Sequence, residues 1–316
     1  MGKENAVQTW SGQVTGKMLN SKMVRWGRKV RNLFYTLKIR TWEPLERSGY
    51  KLWMNIRHLP RSPKISVVMP VFNIEPELLE KAVKSVERQV YPHWELCMAD
   101  DGSTDPRVRA TLERLRENEP RIRVMYLEQN QGISGASNAA LSLASGEYLA
   151  FLDHDDELHP LALYKAARVI NKHPQTDLIF SDEDKLTMDG QRRDVVRKPG
   201  WSPDLFLTYN YLCHLVVCRK ALVDQVEGFR KGFEGSQDYD LLLRITERTD
   251  RIRYIPRVLY HWRMIPGSAA QVVDAKGYAF ARSKQALREA MARRGIEAEV
   301  VDGESPGTFK VIAKPS

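Results

Sequence analysis

The sequence predicts an α/β domain built on a mostly parallel sheet, preceded by a basic helical arm and followed by a small helix and hairpin. Three observations carry that prediction. Short apolar, β-branched runs alternate with helical stretches at near-regular spacing over residues 65–152, the pattern of a parallel sheet flanked by helices. Two of the runs end on acidic residues, Asp100-Asp101 and Asp153-His-Asp155-Asp156, and ligands of such sheets bind beyond the carboxyl ends of their strands. The surplus of cations lies outside this region, so the arm and the sheet are different kinds of segment.

The arm covers residues 1–60. Between residues 11 and 64, thirteen Lys or Arg stand against Glu43 and Glu46, which places a charge of +11 there and leaves residues 65–316 at −2 within a chain total of +9. Leu19, Met23, Trp26, Val30, Phe34 and Leu37 recur at steps of three and four, with Lys22, Arg25, Arg28, Lys29 and Arg31 between them. That spacing is one face of a helix. Over residues 17–40 it suits an interfacial helix on an anionic membrane surface, and equally a helix packed on its own domain with solvated basic edges. The slightly acidic body lacks the positive stripe expected of a nucleic-acid enzyme, so no nucleic-acid partner is expected.

The α/β domain is expected over residues 61–270. Its elements are a buried strand over 65–70 stopped by proline, a helix over 78–88, a strand over 94–99, a helix over 107–117 and a strand over 122–127. A helix over 134–144 and a strand over 148–152 follow, then a helix over 160–172, a strand over 178–181, a loop over 188–203 and a second alternation over 215–244. An extension over 271–316 reads as a helix over 277–294 and a hairpin from 296–301 and 308–313. The three cysteines, Cys97, Cys213 and Cys218, contain no C-x-x-C pair, which predicts neither a disulfide framework nor a thiolate metal site and fits a reducing compartment. No uninterrupted apolar run marks the first fifty residues as a signal, and no stretch approaches the roughly eighteen apolar residues of a membrane span. A cytoplasmic location is expected.

Three acidic clusters could carry chemistry: Asp100-Asp101-Gly-Ser-Thr-Asp105, Asp153-His-Asp155-Asp156 and Gln237-Asp238-Tyr-Asp240. Carboxylates gathered at one sheet edge repel one another unless a cation sits among them. Hard oxygen ligands of this kind suit Mn2+ or Mg2+. Singly the clusters are weak signals, because an Asp at a strand end often only caps the next helix. Asp105 and Asp240 read as turn and helix-cap residues, and His154, His159 and His214 as structural or surface residues. Asp182-Glu183-Asp184 could shape a cleft or form a solvated loop.

In order and context the motifs become specific. Pro70-Val-Phe-Asn73, Asp100-Asp101-Gly-Ser-Thr-Asp105, Asn130-Gln-Gly132, Asn138, Phe151-Leu-Asp153-His-Asp155-Asp156, Gln237-Asp238-Tyr-Asp240-Leu and Tyr260-His261-Trp-Arg263 with Ser268 together resemble the family 2 glycosyltransferases of the GT-A fold. The resemblance covers residues 65–270. The extension resembles the segment that joins two successive transferase domains in bacterial surface-polysaccharide and O-antigen enzymes, which implies that a second domain could follow.

The resemblance implies an inverting transfer of a sugar from a nucleotide-diphosphate donor, UDP- or dTDP-linked, to a hydroxyl of a glycan or polyprenyl-linked glycan. It implies that Phe72 and Asp101, with Pro70, Asn73 and Asn138, receive the nucleotide. Asp153 would meet the ribose and bridge to the metal, Asp155 would ligate it directly, and His261 would complete its shell. Arg263 and Ser268 would hold the diphosphate, and Asp238 would be the general base. Gln237 departs from the Glu-Asp pair common in the family, which removes a charge beside the base. With the basic arm, the resemblance implies work on the cytoplasmic face of the inner membrane. Two other readings stay open, a catalytically silent donor-binding scaffold of a synthase complex and a sugar nucleotidyltransferase. The latter should show a glycine-rich basic loop where this chain has Pro70-Val-Phe-Asn-Ile-Glu-Pro.

Overall fold

The computed structural model describes residues 52, 54–265 and 277–314. The helix expected over 17–40 and Ser268 lie outside the described residues. The chain divides between Arg57 and His58, and the fold set out here is that of the second unit.

Its first part follows the predicted alternation: β1 (Ile65–Val71), α1 (Pro76–Glu87), β2 (Trp94–Asp100), α2 (Pro106–Asn118), β3 (Ile122–Tyr126), α3 (Gly132–Ser142) and β4 (Tyr148–Phe151). β1 pairs in parallel with both β2 and β4, and β2 with β3. β1 and β2 are buried almost throughout, as continuous apolar runs in a sheet covered on both faces should be. α1 starts on proline and turns Leu78, Leu79, Ala82, Val83 and Val86 inward. α2 is capped by Asp105, whose carboxylate accepts from the Arg107 amide at 2.9 Å, the cap role expected of it.

The second part comprises β5 (Glu157–Leu158), α4 (Ala162–Lys172), β6 (Leu178–Leu186), β7 (Arg192–Val196), α5 (Pro203–Phe206), β8 (Val216–Arg219), α6 (Lys220–Gln225), α7 (Gln237–Thr246) and β9 (Ile252–Arg263). The sheet runs β3-β2-β1-β4-β8-β6-β9-β5, with β7 paired to β6. β8 lies antiparallel between β4 and β6, and β6 runs parallel to β9.

Two features differ from expectation. The segment expected as a loop over 188–203 contains β7 and the start of α5, and the long strand β9 was not foreseen. Pro256 lies in the middle of β9, a residue that argues against a central strand because it cannot donate to the ladder. The pairing absorbs it at a bulge: Ser181 lies opposite Ile255 and Asp182 opposite Val258, so Pro256 and Arg257 drop out of register. Beyond the bulge β9 continues until His261 stands opposite Glu157. The motif Tyr260-His261-Trp-Arg263 is thereby brought beside the acidic loop that follows β4.

The extension consists of α8 (Gly277–Arg293) and the antiparallel pair β10 (Ala298–Asp302) and β11 (Phe309–Ala313). Ala286, Leu287, Ala290, Met291, Val300 and Phe309 join the same core cluster as Tyr239 and Leu241–Leu243 of α7. Among the described residues no helix is long and apolar enough to cross a membrane.

Candidate active site

The loop after β4 is closed by its last acidic residue. Asp156 is fully buried, and its carboxylate accepts from the Tyr260 hydroxyl at 2.6 Å and from the Arg263 amide at 2.7 Å. The Tyr260 oxygen also accepts from the Asp153 amide at 3.2 Å. Arg263 is 1% exposed, donates Nε to the Asp155 carbonyl at 2.7 Å and forms an ion pair with Glu157. With both Asp156 oxygens engaged inside the loop, Asp153 and Asp155 are half-buried. Their carboxylates carry no hydrogen bond among the described residues. Burial, then the charges of Asp155 and Asp238, push the Asp153 carboxyl up to about 7.

Asp238 faces this loop from the first turn of α7. Its Oδ2 accepts from the Asn210 amide at 2.7 Å. Burial raises its proton affinity above the usual carboxylate range, and the charge of Glu183 adds to that. Gln237, its neighbour in sequence, accepts from the Gly235 amide at 2.8 Å. Asp240, expected as a cap, is instead fully buried between Arg230 and Arg244, the latter at 2.7 Å.

Asp153, Asp238, Asn210, His214 and Trp262 line one cavity of about 640 Å³, with Pro70 at its edge. Asp153, Asp156 and His214 each bring a ligand atom to within 4.8 Å of the others. His214, expected to be structural or superficial, lies flat on Tyr260 with ring centroids 4.3 Å apart. Burial pushes its pKa down to about 4, which leaves the imidazole neutral. His261 is not part of that group; its Nδ1 is 2.6 Å from Asp184, leaving Nε2 as its free ring nitrogen. A carboxylate on the second nitrogen is the usual way a protein orients a ligating histidine.

The cluster Asp182-Glu183-Asp184 proves to be buried structure. Asp182 accepts from the Lys198 amide at 2.9 Å and from the Tyr254 hydroxyl at 2.5 Å. Glu183 pairs with the Lys198 ammonium at 3.2 Å, and that ammonium also donates to the Leu212 carbonyl at 2.7 Å and to the His214 carbonyl. Lys198 thus fixes the segment that carries both Asn210 and His214. Neither Lys198 nor Asn210 was singled out by sequence, because the partners lie 15 and 28 residues away and no local pattern marks them.

Two residues expected at the donor are placed differently. The Asn138 amide is committed at both ends to Phe229, donating to its carbonyl at 2.7 Å and accepting from its amide at 2.9 Å. Arg263 is buried and pinned on the acidic loop, so its guanidinium orients that loop from behind. Asn73, with φ of +42°, accepts from the Thr104 amide at 2.8 Å and so clips the loop after β1 to the loop after β2. Asp101 is 2% exposed and accepts from the Gln131 amide at 2.7 Å; its own amide donates to the Val71 carbonyl at 2.8 Å, next to Phe72, which is 40% exposed.

The family model described as Glycosyl transferase family 2 matches residues 66–225, about half of the chain. The chain belongs to glycosyl transferase family 2. Among curated proteins, the chain is 46% identical over 260 residues to an uncharacterized protein of Sinorhizobium fredii, covering 81% of this chain and 29% of that one. It is 38% identical over 247 residues to an O-antigen biosynthesis protein of Myxococcus xanthus, covering 78% and 19%. The chain therefore spans less than a third of either relative's length. Among solved structures, the chain is similar to residues 1–349 of TarS from S. aureus in complex with UDP-GlcNAc, with a TM-score of 0.56 at 21% identity over 73% of this chain and 72% of that one. It is also similar to a mannosyltransferase from Pyrobaculum calidifontis in complex with GDP-Man and Mn2+, with a TM-score of 0.55 at 17% identity over 92% and 78%. These likenesses establish the fold as the GT-A type expected from the sequence.

Proposed function

We propose that this transferase moves a sugar, with inversion, from a nucleotide-diphosphate donor of the UDP or dTDP class to a hydroxyl of a glycan or lipid-linked glycan. The observation that carries the reading is Asp238: a half-buried carboxylate of raised proton affinity, fixed by Asn210, opening on the cavity that also holds Asp153. A carboxylate so placed is a better proton acceptor than one in water. As the acceptor oxygen attacks the anomeric carbon, its proton passes to Asp238. The bond from that carbon to the diphosphate oxygen breaks, and its electron pair leaves with the nucleotide. One displacement inverts the centre, so no protein nucleophile is needed.

The residues fit a divalent cation. Carboxylates crowded at one sheet edge, with the neutral His214 imidazole within 4.8 Å of Asp153 and Asp156, are the donor set of a hard ion such as Mn2+ or Mg2+. Asp153 and Asp155 would hold it, with His261 contributing Nε2 under the orientation of Asp184. When bound, the ion would offset the negative charge of the leaving diphosphate. The Mn2+ in the mannosyltransferase complex supports this. Pro70 lines the cavity and Phe72, two residues on, is exposed, which suits that side to the nucleotide base. Residues 17–40 are read as an arm for an anionic membrane, placing the acceptor at the cytoplasmic face; unchanged vesicle flotation after deletion of residues 1–60 would remove that part.

The test is thermal denaturation with UDP, dTDP, GDP and CMP, each with and without Mn2+, in wild type and Asp155→Ala. Stabilisation by UDP or dTDP that requires Mn2+ and is lost in the variant is expected, because a ligand that binds only the folded state raises its stability. No shift with any nucleotide would sink the donor assignment.

A further inference from the structure

We propose that the C-terminal helix and hairpin complete the acceptor side of the cavity, and that Tyr278 is the platform on which the acceptor's terminal pyranose ring lies. The proposal rests on the reading of Asp238 as base. Tyr278 and Phe280 from α8 and Phe309 from β11 line the same cavity as Asp153 and Asp238.

The extension is tied to the base at two points. Ser236, two residues before Asp238, donates its hydroxyl to the Ala279 carbonyl at 2.7 Å and lies 2.8 Å from the Ser283 hydroxyl. The Phe309 amide donates to the Thr208 carbonyl at 2.7 Å, two residues before Asn210, whose amide holds Asp238. Gly235 completes the seat. A Cβ there would come within 2.7 Å of the Tyr278 ring, and its φ of +82° disfavours any side chain. The ring therefore rests against the backbone three residues from the base.

Tyr278 is nonetheless 62% exposed. An aromatic side chain held against a fixed backbone, yet open to solvent, gives little to the core and offers a flat apolar face beside the reacting centre. A pyranose presents one such face of C–H groups with hydroxyls around its rim. Aromatic walls with a few placed polar groups are the usual construction of small-ligand sites, and Glu234 and Gln237 stand on the same wall. The extension thus determines acceptor specificity.

The experiment is saturation-transfer NMR on the full chain with UDP and Mn2+, using methyl glycosides of glucose, galactose, N-acetylglucosamine and rhamnose. At least one should receive saturation at its ring C–H protons in wild type and in Asp238→Asn. Its affinity should fall by about tenfold or more in Tyr278→Ala and persist in Tyr278→Phe, with the UDP-induced melting shift unchanged in both. Absence of saturation on all four glycosides in wild type, or equal affinity in Tyr278→Ala, would overturn the proposal. Full transfer by Asp238→Asn alongside lost saturation in Tyr278→Ala would instead reject the base and keep the platform.

Discussion

From β1 to β4, polar side chains mostly sit at the ends of strands and tie loops together: Asp105 caps α2 and Asn73 clips the loop after β1 to the loop after β2. Glu95 and Asp100 are the buried strand carboxylates of that half, Glu95 held by Lys64, Ser66 and Ser145. From β6 to β9 the balance reverses. Asp177, Asp182, Glu183, Asp184, Lys198, Asp240, Arg244 and Arg263 are all buried, and they meet charged or polar partners inside the fold, four residues apart in Asp240–Arg244 and 77 in Asp184–His261. Asp177 alone draws Arg219 and Arg251, at 2.9 and 2.6 Å. The first half is an apolar sheet with polar ends, whereas the second is wired through its interior. The proposed base, its Asn210 partner and His214 all belong to the wired half, where a small displacement of one partner moves the others.

The sharpest test of that contrast is Asp238→Asn, which keeps the Asn210 neighbourhood but removes the proton acceptor. Transfer rate should fall by about 10²–10⁴-fold while UDP binding, read by the melting shift with Mn2+, stays within twofold. A variant of full activity would place the base elsewhere. Next in size is Lys198→Met, which strands the Glu183 carboxylate in the interior. Urea denaturation should show a loss of about 3–5 kcal/mol, partly recovered by adding Glu183→Gln. A loss no larger than that of a surface substitution would undo the description of the second half as wired.

The acidic loop gives a pH-dependent prediction. The Asp153 carboxyl stands at about 7 in the folded chain against an ordinary value of 3.8, so its contribution to stability is complete below about 3.8 and is lost as pH rises through about 7. Without divalent cation, the melting temperature should therefore fall between pH 5 and pH 8, and Asp153→Asn should flatten the fall. Mn2+ should raise the melting temperature more at pH 8 than at pH 5, because the ion binds the deprotonated form. The smallest effect belongs to the first half. Asp105→Ala removes one helix cap and should lower the melting temperature slightly with no change in transfer rate.

Much of the first half was legible because its signals are local. Period and length mark β1 to β4 and their helices, and the ends of β2 and β4 place Asp101, Asp153 and Asp155 at one edge of the sheet. In the second half, Pro256 concealed β9 until the bulge opposite Ser181 explained it. The Asn138 motif pointed to a donor contact, yet its amide is spent on Phe229, and Arg263 is spent on the loop it was expected to accompany. His214, set aside as structural, lies beside Asp153. A motif shows that a polar residue stands at a place but does not show which partner will claim its hydrogen bonds.

The sequence by itself determined the α/β class, the alternation through β4, the acidic strand ends and the helix and hairpin of the extension, because each depends on the spacing and chemistry of near neighbours. Only the tertiary structure decided that β8 enters antiparallel between β4 and β6, that Lys198 and Asn210 hold the segments around the base, and that α8 closes one wall of the cavity. Those outcomes depend on which distant groups can bury their charges and hydrogen bonds together, and that is a property of the packed chain.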